Sequence, residues 1–380
     1  MELSEIREKI DAVDEQLLDL FLQRMDLSDE VAAYKNAHHL PILNKERERA
    51  ILAKVTEKSG ERERYAYHLF STLFELARSR QAELISAPTK VAAQVRASLE
   101  AGTSVFPQTG LVACQGVEGA NSQVACDRLL PRGNIVYVKT FQAVVSAVES
   151  GLCRFGVLPI ENSSTGSIRQ VYDLLAQYRY YVVGEYDVKV EHCLMALPGV
   201  GLEDIRTVYS HEQGLMQCER YLDAHRGWRR VPTLDTAGSA KQVAGSGDRA
   251  AAAICSRRAA EIYGLHILAE GVNYNAMNHT RFVVVSPVLE LRPGRNKIST
   301  VFRLPHQSGS LHEILTVFAV QGLNLLKIES RPIPGRGWEY LFFLDFTGDL
   351  AAPEMDGVLH ELGQLAAEFR ILGNFRGYEP

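Results

Sequence analysis

IREKIDAVDEQLLDLFLQRMDLSDEVAAYK, residues 6–35, is the stretch from which the N-terminal architecture is read. Ile6, Ile10, Val13, Leu17, Leu20, Leu27, Val31 and Tyr34 recur in steps of three and four, with one vacancy at position 24. No Gly or Pro interrupts residues 3–40. The pattern predicts a helix over about 5–37. Ser4 is its expected N-cap, and Glu5 and Glu8 favour the positive end of the helix dipole. Such a helix is about 50 Å long at 1.5 Å per residue. That is too long for a compact 90-residue monomer and points to a partner chain. Further helices are expected over about 45–58, with Asn44 as N-cap, and over about 62–86.

Cations interrupt the apolar stripe. Arg24 fills the vacancy, Lys35 projects within about 20° of it, and Arg7 lies about 100° away on the flank. An isolated buried cation costs several kcal/mol unless an anion or hydrogen bonds compensate. One reading is an internal ion pair with a carboxylate of another helix, for example Glu48. The other is a pocket whose anion arrives with a ligand, where Arg7, Arg24, Lys35 and Arg47 hold a small, multiply charged molecule. Gln81 continues the stripe of the third helix toward the same interior.

The rest of the chain differs in composition. Residues 1–90 hold 14 Lys/Arg, 17 Asp/Glu and a single glycine, Gly60, while the other 28 glycines lie beyond residue 100. A charge-rich, glycine-poor segment is helical, and a glycine-rich one with β-branched runs is mixed α/β. One boundary falls near 88–104 and a second near 286–297, SPVLELRPGRNK. Between them, Gly110–Cys114, Ile135–Val138, Phe155–Pro159, Tyr180–Val183, Cys193–Leu197, Thr207–Tyr209, Ala251–Cys255 and Phe282–Val285 read as strands. Phe141–Ser150, Ser167–Gln177 and Glu212–Ala224 read as helices. Residues 298–376 read strand, helix, strand, strand, helix, strand, a βαββαβ sandwich.

Composition also excludes partners. The 380 residues carry 41 Lys+Arg against 46 Asp+Glu, a net charge of −5, so no global basic field attracts nucleic acid or an anionic membrane. No apolar run of about 18 residues suggests a membrane span, and no apolar leader opens the chain. Six scattered cysteines without a CxxC pair argue against zinc and against a disulfide framework, and are expected to be free buried thiols. The expected setting is the cytoplasm, with no metal and no cofactor.

The quoted stretch, followed by PILNKERERAILAKV (41–55), resembles the all-helical chorismate mutases over roughly residues 3–85. By that resemblance, Arg7, Arg24, Lys35, Asn44, Arg47, Glu48 and Gln81 are substrate-site positions. Two protomers interlock along the long helix, and Arg7 enters the partner's site. The rearrangement of chorismate to prephenate is pericyclic and needs no nucleophile. Its site holds the reactive conformer and stabilises charge on the breaking ether oxygen. Lys35 and Gln81 then serve that oxygen, Arg7 and Arg24 the carboxylates, and Glu48 the ring hydroxyl. Asn44 and Ala77 stand where the best-known members carry Asp and often Ser.

Five motifs, ACQGVEGANSQVA (113–125), LPIENSSTGS (158–167), YSHEQGLMQC (209–218), DTAGSA (235–240) and NHTRFVVV (278–285), each set small or polar residues beside a strand, and the first four contain glycine. Such segments leave backbone amides free to receive carboxylates. In this order they resemble the prephenate dehydratases over about 105–287. The resemblance implies a two-lobed, periplasmic-binding-protein-like α/β domain with its site in the cleft. It makes Thr280 the key catalytic threonine, with Arg281 and Phe282 completing the triplet. A neutral hydroxyl donates to the departing hydroxide without adding charge. Glu161, Asn162, Ser163, Thr165, His211 and Thr236 are expected to line the cleft. Glu161 serves equally as an acid or as a hydrogen-bonding structural residue, and His211 equally as a helix-cap residue. No GxGxxG precedes an acidic strand end, which disfavours dehydrogenase chemistry.

GSLHEILTVFAVQGLNLLKIESRPIPGRGWEYLFFLDFTG (309–348) resembles the amino-acid-binding ACT domain of phenylalanine-regulated dehydratases. The resemblance implies L-phenylalanine as effector, bound between paired domains by Gly309, Ser310, Leu311, Asn324, Leu325, Glu329 and Ser330. Glu329 and Arg331 otherwise read as a surface ion pair.

Taken together, the expectation is a multidomain protein. Residues 1–88 form an all-α mutase domain, 105–287 the α/β dehydratase domain and 298–376 an α+β regulatory domain. It converts chorismate through prephenate to phenylpyruvate as a homodimer or homotetramer. Two alternatives stand beside this: a dehydratase of prephenate or arogenate whose helical segment serves only dimerisation, and a non-catalytic ligand sensor.

Overall fold

A computed structural model describes residues 2–85, 90–102, 109–333 and 335–377. The chain divides into two compact units. One joins Met1–Glu100 with Ile298–Ile371, and the other joins Ala101–Lys297 with Leu372–Pro380.

In the first unit, helices α1 (Leu3–Ala37), α2 (Lys45–Ser59) and α3 (Glu63–Leu84) match the periodicity of the first region, and α4 (Lys90–Glu100) follows. Segments 86–89 and 103–108, which hold part of the expected connector, lie outside the described residues. Ser4 is not the cap of α1. The helix starts at Leu3, and Glu2 and Glu5 satisfy each other's backbone amides in a capping box. Asn44 does cap α2, its Oδ1 accepting from the Arg47 amide at 3.0 Å. The stripe of α1 is bare within one chain: Leu17, Leu20 and Leu27 are 52, 62 and 59% exposed. Only the C-terminal part of α1 is packed, where Ala32 meets Ile42, Ala82 and Ile85.

The C-terminal part of this unit is a four-stranded sheet in the order β13-β14-β12-β15, from β12 (Lys297–Arg303), β13 (Leu325–Pro332), β14 (Tyr340–Thr347) and β15 (Glu368–Phe375). Its helices, Ser310–Val320 and Met355–Leu365, follow the expected βαββαβ order. Both pack on α3, a contact the periodicity did not reveal. Gln321 Nε2 donates to Ser79 Oγ at 2.8 Å, and Gly357 lies against the backbone of Ala82.

The second unit has two lobes, as expected. One sheet runs β2-β1-β3-β11-β5, built from β1 (Thr109–Gln115), β2 (Arg132–Val138), β3 (Phe155–Asn162), β5 (Tyr181–Lys189) and β11 (His279–Ser286), with the short β4 (Gly166–Ser167) on β3. The other runs β10-β6-β9-β7-β8, from β6 (Cys193–Ala196), β7 (Thr207–His211), β8 (Arg229–Thr233), β9 (Ala251–Cys255) and β10 (His266–Ala269). Near-continuous apolar strands such as Ala251–Cys255 are buried throughout, as sheets covered by helices require. Gly156 on β3 allows the Phe141–Glu149 helix to approach; a Cβ there would meet Val144 Cγ1 at 2.7 Å. The segment expected as one helix, Glu212–Ala224, is two, Glu212–Gln217 and Glu219–Asp223, broken at Cys218. All six cysteines are free and buried. Among the described residues no helix is long and apolar enough to cross a membrane.

The chain crosses between lobes twice, from β5 to β6 and from β10 to β11. These crossings are tied together: the Val190 amide donates to Asn278 O at 2.8 Å and the Val272 amide to His192 O at 2.9 Å. The residues of the two crossings therefore meet at the hinge.

Candidate functional sites

The first candidate lies among α1, α2 and α3. Arg24 Nη1 donates to Leu73 O at 2.9 Å, and its guanidinium lies 5.5 Å from the centroid of the Phe74 ring. Lys35 Nζ donates to Gln81 Oε1 at 3.0 Å and to Ile42 O. Burial lowers the pKa of both cations, and the nearby Glu48 charge opposes that shift. Neither forms an ion pair among the described residues. Glu48 instead accepts from Arg78 Nη1, which reaches both of its oxygens at 2.7 and 2.8 Å. The internal ion pair between these cations and Glu48 is therefore not formed; Glu48 pairs with Arg78, a residue the sequence reading did not single out. Arg24 and Lys35 are left with neutral acceptors.

Gln81 is buried beside Lys35. Asn44 spends its side-chain oxygen on the cap, and Arg47 is exposed one turn into α2. One chain does not bring Arg7 into this group. It lies 17 residues before Arg24 on the same helix, about 25 Å along the axis.

The second candidate is the hinge. Thr280 opposes Asn162 across β11 and β3, and a bulge follows at Arg281/Phe282. Asn162 Nδ2 donates to Thr280 Oγ1 at 2.9 Å, to Asn278 Oδ1 at 2.8 Å and to His279 O at 3.0 Å. Its Oδ1 accepts from the Ser164 and Thr165 amides at 3.0 and 3.1 Å. Backbone amides can only donate, so the orientation of the Asn162 amide is fixed. Thr280 Oγ1 is therefore an acceptor from Asn162, and its own proton remains to be given elsewhere. Asn278 Nδ2 donates to Gln217 Oε1 at 3.0 Å, and His192 Nε2 lies 2.9 Å from the same oxygen. His192 must then carry its proton on Nε2. Burial lowers its pKa, which favours the neutral ring.

Gln217, Asn278 and His192 were not singled out from sequence, although the first two lie inside the motifs at 209–218 and 278–285. Ser163 serves the loop: its Oγ donates to Met277 O and accepts from the His279 amide. Thr165 donates through its amide and hydroxyl to Asn162. His211 is the N-cap of the Glu212–Gln217 helix, its Nδ1 accepting from the Gln213 amide. Thr236 opens the helix that Asp235 caps. Glu161 is half-buried and in register with Arg281.

The two residues that complete the triplet have other partners within the chain. Phe282 is 3% exposed and fills the core of the first lobe with Val112, Val157 and Val284. Arg281 is held by Asp187 through two bonds of 2.8 Å, which raise its pKa, so its charge is already matched.

A third group surrounds the Ser310–Val320 helix. Gly309 has a φ of +90°, which favours glycine, and a pocket beside it is lined by Ser310, Leu311, His306, Trp338 and Tyr340. Leu325, Glu329 and Ser330 lie instead on β13, the edge strand of its sheet, and Asn324 immediately precedes it. One chain does not gather the two motifs around that pocket.

Residues 6–82 match the chorismate mutase type II family model, and residues 112–288 match the prephenate dehydratase model. The bifunctional chorismate mutase/prephenate dehydratase of Enterobacter agglomerans is 32% identical over 376 residues, 97% of this chain and 94% of that protein. The arogenate dehydratase/prephenate dehydratase 2, chloroplastic, of Arabidopsis thaliana is 41% identical over 278 residues, 70% of this chain and 72% of that protein. Among solved structures, the prephenate dehydratase of Arthrobacter aurescens in complex with L-Phe has a TM-score of 0.64 and 30% identity. It covers 70% of this chain and 89% of its own.

Proposed function

The chain belongs to the bifunctional chorismate mutase/prephenate dehydratase family, and we propose that its two candidate sites carry those two steps in turn. Chorismate is rearranged to prephenate, which is then dehydrated and decarboxylated to phenylpyruvate. The observation that carries the mutase assignment is the pair of partly buried cations, Arg24 and Lys35, without a carboxylate of their own. A substrate with two carboxylates supplies what is missing. Lys35 and Gln81 serve the breaking ether oxygen, where developing negative charge makes a fixed donor most effective. Arg24 and Arg47 serve carboxylates and Glu48 the ring hydroxyl. The uncovered stripe of α1 pairs with a second copy, which delivers Arg7.

At the hinge, Thr280 donates its proton in a hydrogen bond to the hydroxyl leaving the ring. The electron pair of the breaking carboxylate bond enters the ring as CO₂ departs. The Asn162 orientation supports this direction of donation. Glu161, Ser163, Thr165, His211 and Thr236 surround the cleft on the same reading.

Residues 1–88, 105–287 and 298–376 are the three functional segments. The last acts as an ACT domain that binds L-phenylalanine between paired copies, joining Gly309, Ser310 and Leu311 to Asn324, Leu325, Glu329 and Ser330. Both the α1 stripe and the β13 edge favour a homodimer or homotetramer, working in the cytoplasm. Titration of the purified protein with L-phenylalanine, while phenylpyruvate formation is followed, tests the regulatory part. Inhibition is expected, and unchanged turnover at saturating phenylalanine refutes it.

A further inference from the structure

Glu48 poses a difficulty for the mutase pocket, on whose assignment this inference rests. It is an acid among cations assigned to an anionic substrate, and its charge acts on both Arg24 and Lys35. Unrestrained, a part-buried carboxylate beside part-buried cations pairs with them, because an uncompensated charge there is costly. Glu48 would then compete with the substrate for its own binding groups.

The structure contains a third cation that prevents this. Arg78 Nη1 donates to both Glu48 oxygens, at 2.7 and 2.8 Å, with the arginine side chain only 8% exposed. Its Nε is buried and has no hydrogen-bond partner among the described residues, so Glu48 is the one acceptor it is seen to hold. The turn of α3 that carries it is anchored next door, where Ser79 accepts from Gln321. We propose that Arg78 is a positioning residue of the mutase reaction: it holds Glu48 away from Arg24 and Lys35, keeping those cations for the substrate carboxylates and ether oxygen. Glu48 keeps the capacity to accept one further hydrogen bond, because a carboxylate offers about four lone-pair sites.

This role has a signature that general structural support lacks. Its effect on chorismate binding operates through Glu48, so removing Arg78 raises KM only while Glu48 is a carboxylate; the Arg78 charge also acts on Glu75 and Glu361, whose loss of a cation affects stability rather than KM. Chorismate kinetics on the full chain test it with R78M, R78K, E48Q, E48Q/R78M and K35A. R78M is expected to raise KM for chorismate at least tenfold with a smaller change in kcat, because the freed Glu48 competes with ground-state binding. R78K keeps the charge and recovers part of that loss. In the E48Q background, adding R78M is expected to change kcat/KM by less than threefold. The double variant removes both charges of the pair, so it tests the coupling even if R78M alone melts too low to assay; R78K then replaces it in the single-variant arm. An unchanged KM in R78M, or an equal fold-loss with and without Glu48, overturns the proposal. K35A separates the two levels. Full mutase turnover in K35A refutes the pocket itself, whereas an inactive K35A beside an unaffected R78M refutes only the role of Arg78.

Discussion

Replacing Thr280 by valine removes one hydroxyl and keeps the side-chain shape. Two effects follow, and the structure separates them. The first is catalytic. Asn162 Nδ2 already donates to Thr280 Oγ1 at 2.9 Å, so the threonine proton is left for another acceptor, which the proposed mechanism makes the leaving hydroxyl. A donor aimed at developing negative charge in a protected site contributes about 3–4 kcal/mol, or about 10²–10³ in kcat. The second effect is on stability. Asn162 Nδ2 loses an acceptor but keeps Asn278 Oδ1 at 2.8 Å and His279 O at 3.0 Å. The cost therefore falls at the low end for a disturbed buried polar group, about 1 kcal/mol. That corresponds to a drop of about 2–4 °C in melting temperature for a domain of this size. The assay is phenylpyruvate formation from added prephenate, with a thermal melt on the same preparation. Thr280→Val should lose at least a hundredfold in kcat with a small change in melting temperature, and Thr280→Ser should recover most of the rate. Turnover of the valine variant within threefold of the parent refutes a catalytic role for the Thr280 hydroxyl.

Four further outcomes are expected. Lys35→Ala should lower mutase kcat by about a hundredfold or more, read as the rate of chorismate loss. Glu361 on the Met355–Leu365 helix is pushed up by burial to about 7; its folded pKa exceeds its unfolded one, so stability is full below about 4.5 and declines as pH rises through 7, by at most about 3 kcal/mol. Urea titrations at pH 5 and 8 should show that decline, and Glu361→Gln should remove it. Gly309→Ala should lower the melting temperature by a few degrees, since a φ of +90° strains any residue with a Cβ, and should weaken inhibition by L-phenylalanine. Leu17→Glu with Leu20→Glu places charges on the bare stripe of α1, and light scattering should show a smaller assembly with mutase activity reduced.

Local periodicity carries far in this chain. The limits of α1, α2 and α3 lie within about two residues of the spacing-based reading, and the buried strands of both lobes are visible as apolar runs. Edge strands were harder. β8 contains Pro232 and three charged or polar neighbours, and β10 begins at His266, so neither resembles a buried run. Apolar steps in Glu212–Ala224 continue across Cys218, which hides the break between two short helices. The packing of α3 on the C-terminal helices joins positions more than two hundred residues apart, beyond the reach of any window. The same distinction holds at the sites. Arg24 stood out because it breaks an apolar stripe, whereas Arg78 lies on a helix rich in charge and reads as solvated. Its role is visible only once Glu48 is beside it. Thr280 stands out through its triplet, but the sequence does not show that Phe282 of the same triplet packs in the core of its lobe. His192, Gln217 and Asn278 come from separate segments that converge only at the hinge.

The most direct test of the central claim is a single time course on chorismate with the purified chain. Chorismate, prephenate and phenylpyruvate are measured together in the parent and in Lys35→Ala and Thr280→Val. Complete conversion by the parent, persistence of chorismate with Lys35→Ala and accumulation of prephenate with Thr280→Val are expected. Chorismate left untouched by the parent, or phenylpyruvate formed at the parental rate by either variant, contradicts the central claim.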